Sequence, residues 1–187
     1  MTLQGWLLIA AFVATLLAAT KPMGMWLHAL YEGRRTPLHL VLGPVERAFY
    51  KLAGVDPAQD QSWRRYGLHM LLFNLALLLL TYAVLRLQHV LPLNPRGLDP
   101  QSADLAFNTA VSFATNTNWQ SYSGETLSPL AQMLGLTIHN FLSAATGIAI
   151  AFALLRGFAR REAAGVGNFW ADMTRVTLYL LLPACIV

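Results

Sequence analysis

Charge is scarce in this chain. Asp, Glu, Lys and Arg make up 12% of its 187 residues and hydrophobic residues 56%, whereas roughly a quarter of a soluble domain is charged. That balance excludes an ordinary soluble domain and indicates a membrane protein. Cysteine is nearly absent: Cys185 stands alone, which rules out an internal disulfide and any Cys-based metal site. No G-x-x-x-x-G-K-[ST] phosphate loop occurs, and Gly165-Val166-Gly167 lacks the strand-to-helix setting of a nucleotide site. Nor is there a Ser/His/Asp grouping or a close carboxylate pair. The residues therefore point away from ATP hydrolysis and from catalysis.

What the chain has instead is long uncharged runs. Leu3 to Ala19, Leu68 to Leu87 and Leu130 to Leu155 contain no charged residue except Arg86, and each is near or above the ~20 residues that span a hydrocarbon core. A fourth run begins at Val176 and reaches Val187 at only about half that length, so the chain reads as a piece of something longer. The first run has no basic residue before it and no convincing cleavage site after it, so it reads as a retained helix and not a signal peptide. Basic residues gather between the first two runs (Lys21, Arg34, Arg35, Arg47, Lys51, Arg64, Arg65) and after the third (Arg156, Arg160, Arg161, Arg175). By the positive-inside rule both segments face the cytoplasm and the N-terminus lies outside. The net charge of +4 thus reports orientation, with no nucleic-acid partner needed to explain it.

Between these runs, Val45, Ala48, Phe49 and Leu52 recur at helical spacing opposite Glu46, Arg47 and Lys51. This predicts a short amphipathic helix over 44–53, started by Gly43-Pro44 and ended by Gly54. It could lie in the membrane interface, dock on a partner, or pack beneath its own bundle. An outer loop rich in helix breakers follows the second run, and then Ser102, with Asp104 in the first turn, opens an apolar helix ending near Ala114. About 13 helical residues reach only ~20 Å, short of a ~30 Å core. The helix must enter and stop partway, with its partly negative C-terminal end at membrane depth, where it favours a cation. The chain returns through Thr115-Asn116-Thr117-Asn118-Trp119-Gln120. Irregular backbone at that depth survives only beside protein or a water-filled path, and its carbonyls can replace the hydration shell of an ion. Glu125 stands near the outer mouth, where a carboxylate concentrates cations.

The resulting plan is all-α and transmembrane, with an N-terminal helix over 1–30, a loop with the amphipathic helix over 31–65, a pore-loop repeat over 66–157, and 158–187 beyond. Within the repeat the expectation is a helix over 67–87, a pore helix over 101–114, a filter over 115–120 and a helix over 129–157. Competing readings remain. The polar run could be a surface loop; His69 and His139 could ligate a haem in a redox protein, although isolated histidines are more often packing residues; or the chain could be a scaffold that binds partners without selecting an ion. Asn74 and Asn140 read as packing residues, and Ser143, Ala144, Ala145 and Gly147 as a helix-contact stripe.

The uninterrupted run from Asn108 to Glu125, followed by Asn140-Phe141-Leu142-Ser143-Ala144-Ala145 and Gly147, resembles the potassium-binding subunit (KdpA family) of the bacterial potassium-importing P-type ATPase. Gln4-Gly5, Val45-Glu46-Arg47 and Leu91-Pro92-Leu93-Asn94-Pro95 support the likeness, which covers essentially the whole chain. The resemblance implies a subunit similar to potassium channels, with four pore-loop repeats around a pseudo-fourfold axis, of which this chain holds the first. It implies that Thr115, Asn116, Thr117 and Asn118 give filter backbone that coordinates potassium, and that Trp119 and Gln120 brace its outer side. It further implies a catalytic ATP-hydrolysing subunit and a third accessory subunit as partners, in the bacterial inner membrane. His139 departs from the glutamine expected there.

Overall fold

Backbone groups in a bilayer must be satisfied within the segment that carries them, and this chain does so with helices. The computed structural model describes residues 2–159 and 165–186, so the expected basic contributions of Arg160 and Arg161 lie outside the described residues. Among those residues there is no strand, and three helices are long and apolar enough to cross a membrane.

The first, α1 (Leu3–Tyr31), is capped by Thr2, whose hydroxyl accepts from the Gly5 N–H. It continues through Pro22 and touches the remaining helices only near its end, where Trp26, Leu27, Leu30 and Tyr31 join a core. The second long helix, α3 (Trp63–Leu87), starts four residues before the expected 67 because Ser62 caps it by accepting from Arg65 N–H. The third is continuous from Ala131 to Ala159. Its opening, Ala131–Thr137, is π-helical, and α-helix α5 (Ile138–Ala159) follows. Between α3 and this helix sits the short α4 (Ala103–Ala114). Beyond α5, α6 (Phe169–Val176) passes through a π-helical stretch, Thr177–Leu181, into α7 (Leu182–Ile186).

Two apolar clusters hold these elements. Leu30, Tyr66, Ala149, Phe152, Phe169 and Val176 join α1, α3, α5 and α6 at the basic end of the bundle. At the opposite end, Val84, Leu85, Ala106, Phe113, Leu127 and Leu136 join α3, α4 and the start of the third long helix.

A buried ion pair anchors the basic end. Asp172 of α6 receives two hydrogen bonds from the Arg156 guanidinium of α5 and one from Tyr66 Oη at 3.0 Å. Arg156 also donates to the carbonyls of Tyr31 and Val166. Gly167 is required beside it: its φ is +101°, and a Cβ there would collide with the Arg156 guanidinium.

The amphipathic helix differs most from expectation. It runs from His39 to Ala53 as α2, so Pro44 lies inside it and does not open it, while Gly54 at φ +63° ends it as expected. The packed face is Gly43, Glu46 and Tyr50, and Val45, Ala48, Phe49 and Leu52 are exposed. The cause is Glu46. Its carboxylate accepts from Tyr179 Oη at 2.6 Å, Tyr50 Oη at 2.8 Å and Arg175 Nε at 3.2 Å, enough charged and polar partners to outweigh desolvation and turn the acidic side inward. Burial pushes the Glu46 carboxyl up, but the hydrogen bonds from Tyr179 and Tyr50 and the charge of Arg175 leave it below its ordinary value of 4.5. A depressed carboxylate stabilises the docked helix above pH 4.5, and that stabilisation is lost as pH falls through the lower folded value. The protection factors of the α2 amides, taken relative to the intrinsic exchange rate at each pH, are therefore expected to fall at acidic pH more than those of α1, and Glu46→Gln is expected to flatten that dependence.

Candidate functional site

The local chemistry of α4 determines how the chain turns back. Twelve residues give a rod of roughly 18 Å, too short to cross a bilayer. Ser102 occupies its N-cap position, and the chain just before it is tied to the end of α3, where Gln101 N–H donates to the Leu85 carbonyl. At its other end the return meets Asn140 and Ser143 of α5. Ser143 lies twelve positions, roughly 18 Å, into the helix that begins at Ala131. The return therefore meets the third long helix near the middle of its length.

The hydrogen bonds of this turn orient its peptides. Thr115 N–H donates to Val111 O, Asn116 N–H to Phe113 O, and the N–H groups of Thr117 and Asn118 both to Ser112 O at 3.1 and 3.3 Å. The carbonyls of Val111, Ser112 and Phe113, otherwise orphaned at the end of α4, are thereby satisfied. In a planar trans peptide the C=O is antiparallel to the N–H, so the carbonyls of Thr115, Asn116 and Thr117 turn away from α4. Asn116 and Asn118 have φ of 55° and 53°, left-handed conformations that asparagine tolerates better than most residues. Trp119 behaves differently: its carbonyl accepts from Ser112 Oγ at 2.8 Å, which turns it back toward α4.

Side chains complete the brace. Thr115 Oγ1 donates to Val111 O, Thr117 Oγ1 to Ser112 O, and the two hydroxyls lie 2.9 Å apart. Asn118 Nδ2 donates to Asn140 Oδ1 at 2.9 Å, and Ser143 Oγ donates to Asn116 Oδ1 at 3.2 Å. Gln120 is exposed and lines a groove of about 390 Å³ with Asn118, Tyr122, Gln132 and Asn140. The indole of Trp119 is partly exposed, and Glu125 is exposed in the short 3-10 turn Gly124–Thr126 on the way back to the start of the third long helix.

Several residues that hold this arrangement were not singled out from sequence. Buried Gln88 donates to the carbonyls of Asp99 and Thr126 and accepts from Ser128 N–H, fastening the loop before α4 to the segment after the return. Asn140 and Ser143, expected only to pack, both touch the return. The one available signal was their three-residue spacing, which puts both side chains on one helix face.

The haem reading fails on geometry. His139 Nδ1 lies 2.7 Å from Thr81 Oγ1, whereas His69, twelve residues earlier on α3, lies beside Gln61 and Trp170. That is roughly 18 Å of helix, too far for two ligands of one iron. Among the described residues no group of three or more His, Cys, Asp or Glu could hold a metal ion.

A family model described as "Potassium-transporting ATPase A subunit" (KdpA) matches residues 10–187. The chain is 56% identical over 188 residues to a protein of Granulibacter bethesdensis named potassium-transporting ATPase potassium-binding subunit, covering 100% of this chain and 33% of that protein. A protein of the same name in Rhodospirillum centenum is 60% identical over 184 residues, covering 98% of this chain and 32% of the relative. In Mesorhizobium japonicum the figures are 55% over 188 residues, with 100% and 33% covered. The chain therefore spans about a third of the length of the curated relatives it matches.

Proposed function

Because the chain belongs to the potassium-transporting ATPase A subunit family, we propose that it supplies the first of four filter segments in a potassium-binding and translocating subunit. In this reading residues 66–157 form one pore-loop repeat and potassium is cargo. The carbonyls of Thr115, Asn116, Thr117 and Asn118 contribute about a quarter of its coordination shell, with Trp119 and Gln120 outside them and Glu125 at the mouth. A catalytic subunit hydrolyses ATP, a third subunit assists, and the whole sits in a bacterial inner membrane. The basic end faces the cytoplasm and the N-terminus lies outside, by the charge asymmetry of the loops.

The observation that carries the reading is the orientation of three consecutive peptides. Their N–H groups are consumed by α4, which leaves their oxygens on the far side, level with the middle of the third long helix and beyond the C-terminal end of α4. Oxygens presented there can replace hydration water and are favoured by the helix dipole. Glu125 is placed to raise the local cation concentration without dehydrating it.

Asn118→Ala in the assembled complex tests this. It removes the Asn140 contact and leaves a Cβ-bearing residue at positive φ, a strain asparagine bears more easily. The expected result is a rise of about tenfold in the potassium concentration that half-saturates ATPase activity, equivalent to ~1.4 kcal/mol, with weaker discrimination against sodium and rubidium. An unchanged ion preference would remove the filter assignment.

A further inference from the structure

We infer that Asn140 and Ser143 of α5 are positioning residues that set the spacing of the ion-coordinating carbonyls by holding the side chains of Asn118 and Asn116. This rests on the filter reading above and adds to it a specific mechanical support outside the pore loop.

Left-handed backbone at a non-glycine residue persists only where the surroundings over-determine it. Asn116 and Asn118 both adopt it, and only Thr117 separates them. Their backbones are held by α4, but their side chains are held by α5. Asn118 Nδ2 bonds Asn140 Oδ1 at 2.9 Å and reaches Asn116 Oδ1 only weakly, at 3.4 Å. Asn118 Oδ1 is enclosed and has no hydrogen-bond partner, so the Nδ2 side alone fixes this amide. Asn116 Oδ1 accepts from Ser143 Oγ at 3.2 Å, and the same hydroxyl lies 3.0 Å from the Asn140 carbonyl. Four side chains thus form one connected network in which each left-handed residue of the return has its own partner on α5.

The helix is built to present those partners. Asn140 and Ser143 are three apart and share a face. The π-helical opening, Ala131–Thr137, precedes them. A π-turn holds more residues than an α-turn, so it rotates everything after it relative to an unbroken α-helix that enters at the same point. The angular position at which Asn140 and Ser143 meet the return therefore depends on that segment. Loss of either contact frees an amide whose backbone is already strained, and the carbonyls next to it lose their fixed separation. A cage that relaxes in this way binds potassium less well and tells it from rubidium less sharply.

The test is a double-variant cycle in the assembled complex, reading half-saturating potassium, the potassium-to-rubidium ratio and the maximal ATPase rate. Asn140→Ala and Ser143→Ala are each expected to raise half-saturating potassium five- to tenfold and to shrink the rubidium penalty, with the maximal rate within twofold. Asn118→Ala combined with Asn140→Ala should shift potassium no further than the larger single change, because both remove the same contact. Asn140→Asp keeps the acceptor oxygen and is expected to leave half-saturation at or below the parent value. It also shows whether a failure of the alanine variant to assemble is a folding defect. Multiplicative effects of the two alanines, or equal losses of maximal rate with no change in ion ratio, would overturn the inference. If Asn118→Ala shifts potassium but Asn140→Ala and Ser143→Ala do not, the filter reading stands and the positioning role falls. If none of the three shifts it, both fall.

Discussion

Asp172→Asn is expected to destabilise the subunit by about 3–5 kcal/mol, the usual cost of leaving one member of a buried ion pair uncompensated. The side chains of Arg156 and Asp172 are only 5% and 2% exposed, so the guanidinium has no water to turn to. Its other acceptors, the carbonyls of Tyr31 and Val166, carry no charge. Tyr66 Oη, whose single proton is shared between Asp172 at 3.0 Å and the Ala149 carbonyl at 2.8 Å, would lose its charged acceptor as well. Thermal unfolding in detergent should show the loss directly. The double variant Arg156→Met with Asp172→Leu is expected to recover at least half of it, since two apolar side chains need no partner. A double variant as unstable as the sum of the single changes would mean that the pair's charges do not compensate one another.

Asn116→Val is expected to raise half-saturating potassium by about a hundredfold or more, or to abolish potassium-stimulated ATPase activity. A β-branched residue at φ 55° is a genuine outlier, and a strain of about 1–3 kcal/mol is most easily relieved by letting the backbone leave the left-handed region. That rotation would redirect the peptides whose N–H groups now point at Phe113 and Ser112. Asn116→Gly separates conformation from side-chain contact, because glycine keeps the backbone and loses the Ser143 bond and the weak one from Asn118. Its potassium shift should stay below tenfold, with rubidium discrimination partly retained. Equal damage from valine and glycine would show that the side chain matters and the backbone angle does not.

The membrane spans and the half-length α4 were legible in the sequence because both follow from simple quantities, the length of an uncharged run and the rise of a helix. The polar return was legible for a related reason, since Thr and Asn in irregular backbone between two apolar spans need a structural explanation. Orientation was harder to read. Periodicity placed Val45, Phe49 and Leu52 on one face of α2 but could not say which face packs. Glu46 decided that through Tyr179 and Arg175, more than a hundred residues away. The Arg156–Asp172 pair and the two bonds from α5 to the return are likewise long-range or depend on helix rotation. Nothing in the composition of residues 131–137 announced a π-helical segment, so the rotation that presents Asn140 was invisible before the structure.

The hydrogen bonds at the end of α4 have one more consequence. A terminal carbonyl that accepts an N–H polarises the peptide that donates it, and that peptide's own oxygen becomes more electron-rich. Thr115, Asn116 and Thr117 therefore do not merely sit beyond a dipole; they forward it, joined head to tail with the last turn of the helix. The negative pole is carried from the carbonyls of Ser112 and Phe113 onto the oxygens of Thr115, Asn116 and Thr117, which turn away from α4. In the proposed filter, a substitution that cuts one of those N–H links would weaken the pull on a cation even if no atom moved.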